Sequence, residues 1–176
     1  MPERVLPEKP LDFLRRNGEG PNVLATFAHP VGVEVVEVTG TDFVRGAGGG
    51  NNPAGQWWIR RDELDRILVT VRALPQWPNE RRNLLQREIR NQSAVSVNWN
   101  SLSAFWSMRV QAQPLVGLRG PTKAQPVWDP SSGGPAPAEL GNSTQRTLPG
   151  GVVQYFFPKI PSGLVHYYGA ARGRTF

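Results

Sequence analysis

Glycine (19 residues) and proline (17) make up about a fifth of this 176-residue chain, and that excess limits its fold more than any other feature. Glycine adds backbone entropy that a helix must remove, and proline lacks the N–H that both helices and sheets use. The composition argues against a helical bundle and for short strands joined by many turns. The remaining residues, 39% hydrophobic and 19% charged, suit a folded domain, and the length suits one domain rather than two. Cysteine is absent, which removes disulfide scaffolds, thiolate metal sites, iron–sulfur clusters and cysteine nucleophiles. The two histidines, His29 and His166, leave little for a histidine metal site. No 18-residue apolar run is present to span a membrane. The first twenty residues carry charges throughout and lack the apolar core of a secretory signal. The expectation is a cytosolic chain, or one exported by a machine that reads no N-terminal signal.

The net charge of +6 is unevenly placed. Residues 1–90 hold 13 Lys/Arg against 12 Asp/Glu, whereas residues 91–176 hold 7 against 2, Asp129 and Glu139. A carboxylate-poor half suggests an anionic ligand, nucleic acid or an acidic protein partner, although the same charge also serves solubility.

Along the chain, residues 1–22 read as a lead-in with a helical turn or two near Leu11–Leu14. Val23–Phe27 reads as a strand. Val33, Val35, Val36 and Val38, with Glu34 and Glu37 between them, form a half-buried strand. Asp42–Arg45 is a further strand that runs into a glycine loop at 46–55, and Gln56–Arg60 resumes strand. From Asp62, an N-cap with acids in the turn after it, Leu64, Ile67, Leu68 and Val71 recur at helical spacing. A second helix begins around Asn79, with Leu84, Leu85 and Ile89 on one face and Arg81, Arg82, Arg87 and Arg90 on the other. From Ala94 the period becomes two (Val95, Val97, Trp99, then Phe105, Met108, Val110 and Leu115–Val116), which reads as two or three antiparallel strands. Residues 120–147 form a long loop rich in proline, glycine and serine, functional or mobile. The turn at Leu148–Gly151 feeds an apolar strand through Phe157, and the C-terminal residues read as a basic tail. The fold class is therefore α+β: a single domain over 23–170 with a small, bent, mostly antiparallel sheet, one or two helices in its N-terminal half, and a tail at 171–176.

Common catalytic devices are missing. There is no phosphate-binding G-x-x-x-x-G-K-[ST], and Gly46-x-Gly48 follows a strand without opening a helix. Asp129 and Glu139 both sit in the long loop, a poor support for paired-carboxylate glycosidase chemistry. What remains is arginines beside glycines, tryptophans and one glutamine. Arg45 ends a strand before the glycine loop, and Trp57 and Trp58 follow that loop. Arg72 closes the amphipathic helix, and Gln154 follows the Pro149-Gly150-Gly151 turn. Each also has a plainer role: a strand-end charge, core indoles, a cation at a helix C-terminus, a satisfied core amide.

The order of these elements resembles the catalytic domain family of the tuberculosis necrotizing toxin, NAD glycohydrolases at the C-termini of bacterial polymorphic toxins. The matching elements are Val44-Arg45-Gly46, Gly55-Gln56-Trp57-Trp58, Arg72-Ala73-Leu74-Pro75 and Pro149-Gly150-Gly151-Val152-Val153-Gln154-Tyr155, within residues 33–158. The resemblance implies a toxin domain, a secreted effector acting in a target-cell cytosol. It would hydrolyse the nicotinamide–ribose bond of NAD or NADP, which is then substrate and not cofactor. Arg45 and Arg72 would hold the diphosphate, since a guanidinium forks to phosphate oxygens and stays charged. Gln154 would orient ribose or the attacking water. Gly46, Gly48, Trp57, Trp58 and Tyr155 would line the substrate site, with glycine N–H groups near the diphosphate and an indole stacked on a ring. No membrane is implied, and an acidic immunity protein would cover the basic cleft. Two alternatives stand: a mono-ADP-ribosyltransferase, and an RNA-cleaving or RNA-binding domain using the arginine-rich helix.

Overall fold

Neighbouring buried residues such as Val35 and Val36, or Trp58 and Ile59, need a sheet covered on both faces, and eight strands of this chain combine to make one. The computed structural model describes residues 3–28, 30–47, 55–97, 99, 101–102, 104–138 and 146–171. Its strands are β1 (Glu3–Val5), β2 (Glu34–Val38), β3 (Asp42–Ala47), β4 (Trp57–Arg60), β5 (Ala104–Val110), β6 (Leu115–Pro121), β7 (Gln125–Pro126), β8 (Thr147–Leu148), β9 (Val153–Phe156) and β10 (Val165–Ala171). Eight of these run β1-β2-β6-β9-β4-β3-β5-β10, every pairing antiparallel, and β7 with β8 forms a separate ribbon. The helices are α1 (Pro10–Arg16), α2 (Arg61–Arg72), α3 (Trp77–Ser93) and the short α4 (Pro130–Gly133). The fold is α+β, as its composition and periodicity require, with a sheet larger than the small one expected.

One face of the sheet buries Val36, Val38, Phe43, Trp58, Met108 and Tyr155, among others. These residues come from strands spread across the sheet, so the sheet curls around them. The rings of Trp58 on β4 and Tyr167 on β10 lie 6.3 Å apart. A flat sheet would hold those strands about 14 Å apart. The opposite face carries the helices. Leu64, Ile67, Leu68 and Val71 of α2 meet Leu85 and Ile89 of α3 over Val44 and Ile59. Burying each such side chain contributes roughly 1.5–3 kcal/mol. Further along, Phe13 and Leu14 of α1 pack on Val35, Leu118 and Phe156.

Several segments differ from the sequence reading. Val23–Phe27 is not a strand: Pro21–Thr26 is a 3-10 helix, and Phe27 makes an isolated bridge to Thr122. Pro21 sits in the first turn of this helix, and Val23 and Phe27, with Leu24 beside them, pack into the α1 cluster. The described residues among 94–102 (94–97, 99, 101 and 102) are irregular rather than strand, and Ala94 takes a left-handed conformation (φ 48°) as the C-cap of α3. Asp62 lies in the first turn of α2, whose N-cap is Arg60, and its carboxylate accepts two hydrogen bonds from the Arg60 guanidinium (3.1 and 2.7 Å). α3 begins at Trp77, with Pro78 in its first turn and a break at Glu80 (φ −123°). The lead-in is part of the packed body, since β1 extends the sheet and Phe13 and Leu14 are buried. β10 runs from Val165 to Ala171 and takes in the start of the supposed tail; residues 172–176 lie outside the described residues.

Candidate functional site

β3 and β4 pair through only two positions, Phe43↔Arg60 and Val44↔Ile59. Beyond them β3 follows β5 as far as Ala47↔Ala104, and β4 follows β9 as far as Trp57↔Phe156. The sheet forks there. On the β3 side Gly46 leaves room for the Leu102 side chain, into which a β-carbon at that position would run.

A cavity of about 240 Å³ occupies the fork, walled by residues of β3, β4 and both long helices and by Ala94, Val95, Trp99, Leu102 and Phe105. It takes side chains from both faces. Register and alternation put Arg45 and Trp58 on the curled face, and Ile59, Trp57 and Gln154 on the helix face. Of the residues expected to act together, Arg45, Gly46, Trp57, Trp58 and Gln154 line this one cavity.

The Pro-Gly-Gly turn aims Gln154. Gly150 and Gly151 both have positive φ (69° and 101°), which residues with side chains resist. In that shape their N–H groups donate to Asn91 O (2.8 Å) and Thr122 O (3.0 Å), and Val152 N–H donates to Gln92 O (3.2 Å). The last carbonyls of α3 thus gain partners that the helix itself cannot supply. β9 leaves this anchor with Gln154 turned to the cavity, 8% exposed. Its amide donates to Thr26 O at 3.3 Å. Among the described residues its Oε1 accepts no hydrogen bond.

Arg45 lies with its guanidinium over the Trp58 ring, 5.6 Å from the centroid. Trp58 is itself fixed by a bond from its indole N–H to Gly55 O (2.9 Å) and is 1% exposed. Among the described residues Arg45 has no carboxylate partner, and its buried Nε has no acceptor. Burial lowers the Arg45 pKa from its ordinary value, with Tyr167 opposing that shift. A partly buried cation of this kind favours an anion arriving from outside. Trp106, the cross-strand neighbour of Arg45, also keeps a buried indole N–H without an acceptor.

Two expected members are elsewhere. Arg72 is exposed in the last turn of α2. That helix touches the cavity at Leu64, and eight further residues carry the chain about 12 Å along its axis. Arg72 therefore sits where a cation complements a helix C-terminus. Tyr155 follows Gln154 and so faces the other way, 1% exposed in the curled core, donating its hydroxyl to Glu3 Oε2 at 2.6 Å. Arg119 pairs with both Glu3 and Glu34 beside it. Gly48, His29 and Glu139 lie outside the described residues.

Trp99 lines the cavity without having been singled out. Its period-two neighbours suggested a core strand, and nothing local marks it as a cavity wall. No family model, no curated protein and no solved structure matches the chain. Any functional reading therefore rests on the α+β fold, the forked sheet and the chemistry of its cavity.

Proposed function

We propose that the cavity binds NAD or NADP and that the protein hydrolyses the nicotinamide–ribose bond. The observation that carries this reading is the Arg45 guanidinium, partly buried and, among the described residues, without a carboxylate partner, in an aromatic-walled cavity that also holds the Gln154 amide. Nicotinamide leaves as a neutral group, so its departure needs no general acid, and the described lining residues include no Asp, Glu or His. In this reading Arg45 takes the diphosphate through the fork. Gln154 uses its Oε1, which accepts no hydrogen bond among the described residues, to orient the attacking water or a ribose hydroxyl. Water adds to the anomeric carbon as the carbon–nitrogen bond breaks, and the water's proton passes to solvent. Arg72 stands outside this arrangement, which leaves one arginine for the anion where the sequence suggested two. A single, partly buried cation suits a ligand that inserts one anionic group. An RNA strand would instead follow a run of exposed cations. As part of the same reading, the protein acts as a delivered toxin restrained by an acidic immunity protein over the cavity mouth.

The test is release of nicotinamide from NAD by the purified protein. Turnover in the wild type, lost in Gln154→Ala and Arg45→Ala, supports the reading. A folded wild-type protein that releases no nicotinamide from NAD or NADP overturns it. Transfer of labelled ADP-ribose to protein, without free ADP-ribose, would assign the transferase alternative.

A further inference from the structure

Tryptophan at the rim of a cavity is costly to leave in water, and its ring is useful there only if its plane is fixed. Trp99 lines the cavity and is 43% exposed, whereas the other large hydrophobic side chains exposed among the described residues are aliphatic. Its indole N–H donates to Asp129 Oδ2 at 2.8 Å. Asp129 is itself pinned: it accepts from Ser131 N (3.0 Å), Ser131 Oγ (2.6 Å) and Ser132 Oγ (2.6 Å) at the start of α4. Two further bonds close the same seam. Ser96 Oγ donates to Pro126 O (2.6 Å), and Val97 N donates to Val127 O (2.8 Å). The proline- and serine-rich segment after β6 is thus a clasp that orients one wall of the cavity.

The geometry points to Trp99 as the platform on which a planar heteroaromatic ring of the bound dinucleotide stacks, with Asp129 as the residue that positions it. The inference rests on the dinucleotide reading above and extends it to the adenine or the nicotinamide ring. A pinned indole loses little conformational freedom when a ring settles on it, so the stacking is retained as affinity. Asp129 touches no ligand. It acts through the orientation of the indole.

The experiment measures affinities of the full chain for NAD, AMP and nicotinamide mononucleotide by calorimetry, in wild type, Trp99→Ala, Trp99→Phe, Asp129→Ala and Asp129→Asn. Trp99→Ala is expected to weaken NAD and one of the two mononucleotides by about 5- to 150-fold, the range of one base–aromatic stack. The mononucleotide that weakens identifies the ring. Trp99→Phe keeps a π face and retains most of the affinity. Asp129→Asn keeps an acceptor for the indole N–H and stays near wild type, whereas Asp129→Ala weakens binding. A purely structural role for Asp129 would lower the melting temperature equally in both Asp129 variants without this split in affinity, and would overturn its positioning role. Wild type that binds NAD while Trp99→Ala binds it equally well overturns the stacking inference alone. Wild type that binds none of the three ligands overturns the dinucleotide reading itself.

Discussion

Gly55 stands directly against Arg45: a β-carbon built on Gly55 would fall within the Arg45 guanidinium. The carbonyl of the same glycine accepts the Trp58 indole N–H, and Trp58 carries Arg45 on its face. Arg45 is thus held between a bare backbone and an indole. Gly55→Ala must displace the guanidinium. The expected outcome is a loss of NAD turnover approaching that of Arg45→Ala, with a melting temperature near wild type. A Gly55→Ala protein with full turnover would remove Arg45 from the mechanism.

Gln154→Ala removes an amide whose one hydrogen bond, to Thr26 O, is long at 3.3 Å. Stability should fall by about 1 kcal/mol. Turnover should fall at least about 100-fold, the usual cost of losing one well-placed donor or acceptor at a reacting centre. Nicotinamide release and a thermal melt on the same preparation separate the two effects.

Arg72→Ala should leave turnover and KM for NAD unchanged within about twofold, because the side chain is exposed at the far end of α2. Its removal costs at most the few tenths of a kcal/mol that a cation gives a helix C-terminus. A large rise in KM would show that the diphosphate reaches that far.

Gly150→Ala tests the turn that anchors β9. The position has φ 69°, and an added β-carbon would stand 2.7 Å from Thr122 O. The expected loss is about 1–3 kcal/mol, or several degrees in melting temperature for a chain of this size. The weakened anchor should also reduce turnover through Gln154.

Burial raises the pKa of Tyr155 and of Tyr167 above the ordinary value of 10.0. Nearby arginines oppose the shift at both. A raised folded value means that this contribution to stability is fully present below pH 10 and is lost as pH rises through the folded values. Ultraviolet titration of the folded protein should show these phenols ionising above pH 10, with stability falling across the step. Phenols that titrate at pH 10 in the folded chain would contradict their burial.

The sequence was most informative where a local period repeats. The i, i+3, i+4, i+7 pattern of Leu64, Ile67, Leu68 and Val71 placed α2, because one buried face needs nothing beyond that spacing, and the β-branched run from Val33 to Val38 placed β2, which is buried on both faces rather than half-buried, with Val36 and Val38 in the curled core and Val33 and Val35 under α1. β1 and β10 escaped notice: three residues show no period, and Gly169 interrupts the other strand. Trp99 was misread because irregular backbone can hold apolar residues at alternate positions by chance, and its indole is fixed by Asp129, 30 residues away.

The sequence by itself determined an α+β chain of short antiparallel strands with two amphipathic helices, because propensity, period and turn chemistry act over a few neighbouring residues. It also supplied the glycines at 46, 55, 150 and 151, without which the close approaches and positive φ angles could not exist. Which side chains share a cavity was decided only by the tertiary structure. Strand pairing brings positions 45, 57 and 154 to one fork, and alternation turns Tyr155 to the opposite face, while the helix axis carries Arg72 away. Those relations depend on register between distant segments, and register is fixed by the burial of a whole face at once.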